Sequence, residues 1–176
     1  MSTGKRAFST LGTLGALWGI VGLTFILGRG LFCIYPFAAE LCEMKFSWVH
    51  WAVLALSLVF MGYAEGYKGF QLRFSPRVGA RALYLARNPT IVRVILAPLF
   101  CMGYFHATRK RKIVAYCLTA AIVLLIIGVG KLDQPWRGII DAGVLLGLGW
   151  GLASVWYFTF KAFCTKGYAV SPETPE

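Results

Sequence analysis

Arg77, Arg81, Arg87 and Arg93 lie close together and are interleaved with apolar residues, in Val78-Gly-Ala-Arg-Ala-Leu-Tyr-Leu-Ala-Arg87 and its flanks. A guanidinium presents paired N–H donors in a planar fork, which suits phosphate oxygens. A basic amphipathic segment of this kind lies at the level of lipid headgroups. The expected partner is therefore the anionic face of a bilayer. A specific phosphate-bearing ligand and plain control of topology are the two alternatives. The cluster Arg109-Lys-Arg-Lys112 reads in the same way.

Acids are scarce, so each one near an apolar run stands out. Glu65 closes the second apolar run with Lys68 just beyond it, either as an interfacial ion pair or as an acid–base group. Asp141 follows Arg137 by four residues, which makes a helix-terminal ion pair or an ionisable group inside the bilayer. His106 is a further ionisable candidate. The chain has only two histidines, His50 and His106, and no paired Cys/His spacing, so neither a metal site nor a cofactor is expected. Cys33 and Cys42 flank an apolar stretch between the first two runs. They form either a disulfide that pins that loop on an oxidising side or two free thiols. No CxxC or neighbouring base supports thiol catalysis.

The elements that must carry these residues follow from composition. Of 176 residues, 58% are hydrophobic and only 14% are charged, with a net charge of +11. That balance excludes an ordinary soluble domain, a disordered chain and a fibrous repeat. No helix-turn-helix, zinc-finger or RNA-binding signature accompanies the positive charge, so nucleic acid is not an expected partner. Four stretches are long and apolar enough to span a bilayer, at about 10–28, 47–64, 113–130 and 138–160. Their side chains do not alternate, which argues against a β-barrel. Lys5 and Arg6 before the first run resemble a signal-peptide opening, but no cleavage pattern closes the run, so it is read as a retained span.

Residues 91–107 are the ambiguous stretch, interrupted by Arg93, Pro98 and His106. If this stretch does not cross, Arg29, Lys45, Lys131 and Arg137 are the only basic residues left on the outer side. If it crosses, Arg109–Lys112 and the last lysines move outside, against the tendency of Lys and Arg to stay in the cytoplasm. The expected fold is all-α: a polytopic transmembrane helical bundle with four spans plus a re-entrant or interfacial helix, with five spans as the alternative. Residues 1–166 form one membrane domain with a cytoplasmic N-terminus, in the inner (plasma) membrane. The polar, proline-containing 167–176 is expected to be a disordered tail.

Gly143, Gly147 and Gly151 recur every four residues in the last span, a groove that a second helix backbone can approach closely. Gly12, Gly15, Gly19 and Gly22 offer a similar face on the first span, so these two spans are expected to pair, or the faces to meet in a dimer. The resulting functional expectation is a non-enzymatic subunit, assembly factor or small carrier working through helix–helix contacts with another membrane subunit or with itself. The alternative is a membrane enzyme acting on a lipid or phosphorylated lipid-soluble substrate, with Arg77, Arg81, Arg87, Arg93 and His106 at the headgroups and Glu65 as acid or base.

Overall fold

The computed structural model describes residues 9–165 and 167–175. All regular structure among the described residues is helical: α1 (Thr10–Ala39), a 3₁₀ turn (Glu40–Glu43), α2 (Trp48–Met61), a π-wound segment (Gly62–Phe74), α3 (Ser75–Arg87), α4 (Ile91–Ile95), α5 (Ala97–Met102), α6 (Arg109–Val129) and α7 (Trp136–Cys164). Four continuous helical runs are long and apolar enough to cross a membrane. The chain is thus a helical bundle consistent with a multi-pass membrane protein.

The second of these runs, Trp48–Arg87, is unbroken over 40 residues. At about 1.5 Å per residue it is up to about 60 Å long, against a hydrocarbon core of about 30 Å. One end of it must therefore reach an interface. That end is α3, where the arginines are. Pro76 stands in the first turn of α3, where its missing N–H costs nothing, and the helix stops before Asn88-Pro89. The expected break after residue 64 does not occur. Gly62 and Gly66 continue the helix because they let it approach Leu146 and Trp150 of α7.

Residues 91–107 do not form a span. Pro98 has no N–H to offer the carbonyl of Val94, and the helix is interrupted at Leu96. The two short helices run beside the first half of α1, with Val94 against Gly15 and Pro98 against Gly22. The chain then turns at Gly103, whose φ of 92° suits glycine. It returns to the end it came from, a re-entrant hairpin.

One expectation about the first span is corrected, and one of its open alternatives is decided. Helix α1 continues to Ala39 with Pro36 inside it, so most of the presumed loop is helical. Cys33 sits on that helix and Cys42 in the 3₁₀ turn, and both are exposed free thiols rather than a disulfide. The first and last spans do pack together, with Gly138 against Phe37 and Leu41 and Gly30 against Leu148, but their glycine faces pair differently from expectation. Gly12 meets the backbone of Ala86, where a Cβ would lie 2.5 Å from its carbonyl oxygen, and Gly19 meets Ala97 and Cys101. Gly143, Gly147 and Gly151 meet Ser57, Glu65 and Phe70 of the second run. Both faces are filled within the chain by elements other than each other, which leaves neither open to a second copy.

The core gathers at the arginine end. Leu23 of α1, Val78 and Leu85 of α3, Phe100 of α5 and Val155 of α7 are fully buried there. Helix α6 stands apart. Ala115 is its one buried residue, and side chains from Ile113 to Ile127 are exposed. Its links to the rest lie toward its start: the Tyr104 hydroxyl is hydrogen-bonded to Thr119, Tyr116 donates to Tyr104 O, and Arg111 reaches Gly103 and Glu173.

Candidate functional site

Helix α3 is amphipathic, and its buried face holds Val78, Ala82, Leu85 and Ala86. Arg81 is three residues after Val78 and four before Leu85, so it falls on that apolar face. It is 1% exposed. Its guanidinium is engaged by main-chain carbonyls: Nε donates to Phe100 O, Nη1 to Pro172 O at 2.8 Å, and Nη2 to Phe105 O at 2.9 Å and His106 O at 3.1 Å. The guanidinium carbon also lies 4.2 Å from the Phe100 ring centroid. A buried cation is tolerated only when its donors are met, and here carbonyl dipoles meet them. Arg81 was expected at the headgroups. It is instead a clasp that joins α3, the re-entrant hairpin and the C-terminal tail.

The tail was expected to be disordered, yet Gly167–Pro175 lies against this end. The proline-containing backbone cannot form a helix, but it presents carbonyls to donors that are already buried. Pro172 O accepts from Arg81, and Glu173 O accepts from the N–H of Thr108 at 2.9 Å. Tyr168 donates its hydroxyl to Pro76 O at 3.0 Å. Burial raises the Tyr168 phenol above its ordinary value. The Glu173 carboxylate sits between two arginines, 3.3 Å from Arg77 Nε and 3.9 Å from Arg111 Nε.

Arg93 takes a third position. Its Nη1 donates to Asn88 O at 3.2 Å, its guanidinium faces the Tyr84 ring at 5.5 Å, and Nη2 donates to His106 Nε2. His106 therefore carries its proton on Nδ1. Burial first, and then the positive charges of Arg93, Arg81 and Lys112, hold the imidazole below its ordinary value. Arg87 is half-buried at the end of α3.

The remaining candidates lie elsewhere. Glu65 is in the π-wound segment, about three turns before Arg77, with its carboxyl beside Gly147. Lys68 faces the Tyr63 ring at 4.8 Å rather than pairing with it. At the opposite end, Arg137 Nε is 3.6 Å from Asp141 Oδ2, and the Arg137 guanidinium covers Phe37 at 3.4 Å. Gln134 ties that end to α1 by donating to Phe37 O and Glu40 Oε2. His50 caps α2 through the Ser47 N–H and packs on Trp136. It is thus at the other end of the bundle from His106.

The structure brings together Arg77, Arg81, Arg93 and His106, and leaves Glu65, Arg137 and Asp141 outside. Residue order gave no sign of Glu173 or of the carbonyls that hold Arg81, and it named Arg111 only as part of the basic cluster 109–112. Chemically, the gathered groups are donors. The carboxylate among them is already paired with two cations and the imidazole acceptor is already used, so no free base faces a reacting atom. A groove of about 520 Å³ runs along α7 between Gln71 and Phe158, and no charged side chain lines it. Among the described residues, no His/Cys/Asp/Glu group could hold a metal ion. No known family, curated protein or solved structure matches the chain.

Proposed function

We propose that this chain is a non-enzymatic subunit of a membrane assembly and that α6 is the helix it offers to a partner. The supporting observation is the contrast between α6 and the other three spanning runs. Those runs pack along one another, and even α2, which has no fully buried residue, lies against Gly143 of α7. No other helix packs along α6, which keeps Leu118, Ile122, Leu125 and Ile126 exposed. In lipid, helices associate by close packing rather than by escape from water. A span that the chain does not use for its own packing is available to another subunit. The arginine end would face the cytoplasm of an inner membrane, with the N-terminus on that side, because Lys and Arg collect there. The alternative, a headgroup-level enzyme, has less support, since its presumed carboxylate Glu65 is beside Gly147 and its central Arg81 is buried.

Cys117 is exposed on α6 and provides the test. With the other cysteines replaced by serine, a short thiol–thiol cross-linker in native membranes should capture a discrete adduct through Cys117. Twice the chain mass identifies self-assembly, and another discrete mass identifies a second subunit. Monomer alone, with Cys117 shown to react with a monofunctional maleimide, overturns the proposal.

A further inference from the structure

We infer that Arg77 and Arg111 form a binding site for a terminal phosphate group, and that Glu173 of the C-terminal tail occupies it as a tethered competitor. Arg77 comes from α3 and Arg111 from the first turn of α6, so the two forks converge from separate elements. The Arg111 side chain is only 10% exposed. It lies across the α5–α6 turn at Gly103, where an added Cβ would be 3.1 Å from its Nε. Glycine at that turn leaves room for the guanidinium. Arg111 Nε is buried without a hydrogen-bond partner, because the carboxylate stops 3.9 Å short of it. A carboxylate has two oxygens in one plane and here fits Arg77 better than Arg111. A terminal phosphate has three oxygens in a tetrahedron and more charge, and can meet both forks at hydrogen-bond distance.

The ion pair that holds the occupant is also weak. The Glu173 backbone is fixed independently by Arg81 through Pro172 O and by the Thr108 N–H, so the side chain can leave while the tail stays docked. Arg77 and Glu173 are each about one-third exposed, and ion pairs so exposed are weak. Among the described residues, Glu173 is the one acid at an end that carries Arg73, Arg77, Arg81, Arg87, Arg93 and Arg109–Lys112. The other described acids are Glu65 in the π-wound segment and four at the opposite end. The phosphate can be that of a lipid headgroup or of a soluble ion, and the two sources share this chemistry.

The test uses the full chain in neutral phosphatidylcholine nanodiscs, with the melting temperature followed as phosphatidic acid replaces the neutral lipid. In a parallel arm inorganic phosphate is added to discs of neutral lipid. Glu173→Gln should lower the half-saturating fraction of phosphatidic acid about fivefold, the loss of one weak competing ion pair. Arg77→Gln with Arg111→Gln should abolish the saturable response. Arg109→Gln with Lys110→Gln removes the same charge outside the site and should leave the wild-type curve. A response to phosphatidic acid alone assigns the site to a headgroup, and a response to inorganic phosphate alone assigns it to a soluble phosphate; either upholds the site. If the double glutamine variant loses its helical circular dichroism, Arg77→Lys with Arg111→Lys keeps the charge without the forks and should still weaken saturation. The inference is overturned if Glu173→Gln matches wild type in both arms, or if the Arg109/Lys110 variant loses as much as the Arg77/Arg111 variant.

Discussion

The two ends of the bundle each hold an arginine, by different means. At one end, Arg81 is gripped by carbonyls of Phe100, Phe105, His106 and Pro172, which belong to α5, the following turn and the tail. At the other end, Arg137 meets Asp141 one turn further along its own helix and lies on Phe37. The first arrangement is nonlocal and exists only when three stretches of chain have assembled. In the second, the ion pair is local and forms with α7 itself, and only the Phe37 contact needs α1. The difference separates an arginine that builds the tertiary structure from one that decorates a helix terminus.

The strongest way to break that contrast is Arg81→Met. The change fills similar space but leaves four carbonyls without their donor in an apolar setting, at about 1–3 kcal/mol for each buried group left unsatisfied. A loss of at least about 3 kcal/mol follows, read as a large fall in melting temperature in nanodiscs. The tail should also become open to a carboxypeptidase, since Pro172 loses its anchor. Arg81→Lys should recover only part of the loss, because a compact ammonium cannot reach carbonyls on several sides as a planar fork does. A variant that melts like wild type would show that the clasp contributes nothing.

Arg137→Gln sharpens the contrast from the other side. The Arg137 side chain is 28% exposed and its partner is four residues away. Exposed pairs at this spacing are worth about 0.5 kcal/mol. The Asp141 side chain is only 9% exposed, so losing its cation costs more, on the order of 1–2 kcal/mol. The glutamine amide can still donate to the carboxylate and cover part of Phe37. The expected melting shift is smaller than that of Arg81→Met. Equal losses in the two variants would remove the distinction between a tertiary clasp and a helical pair.

The same contrast explains what could be read from residue order. The Arg137–Asp141 pair was legible because its spacing is the helical repeat. Spans α6 and α7 were legible because a long apolar run has one economical structure in lipid. The stop of α3 before Asn88-Pro89 was legible because proline restricts the residue before it. The carbonyl cage of Arg81 was not, since every residue type supplies a main-chain carbonyl and the partners lie as far as Pro172. A signal for its burial was present nonetheless: Arg81 shares a helix face with Val78 and Leu85. Beyond residue 64, where the second span is expected to end, nothing along the chain marks the π-wound stretch as helix. What holds it helical is close packing on α7, with Gly151 meeting Phe70 and Gly66 meeting Trp150, and that register is invisible along one chain.

A smaller effect tests whether the clasp end is also sensitive to protons. His106 stands in the left-handed region, with φ of 48°, and its Nε2 accepts from Arg93. The contact requires a neutral ring. Protonation would set a second N–H against the guanidinium, and the closed turn resists it, so its value lies below the ordinary 6.5. The opened turn binds the proton near 6.5, more readily than the closed one. The His106 contribution is therefore complete above that pH and declines as pH falls from about 6.5 toward the lowered value of the closed turn. Amide exchange across Gly103–Thr108, corrected for its intrinsic pH dependence, should show more opening at pH 5.5 than at pH 7.5. His106→Asn tolerates the left-handed backbone and does not titrate, so its corrected exchange should not change between the two. An identical response in wild type and variant would place the proton sensitivity elsewhere. A flat response in both would leave Arg81 and its carbonyls as the part of this end that sets its stability.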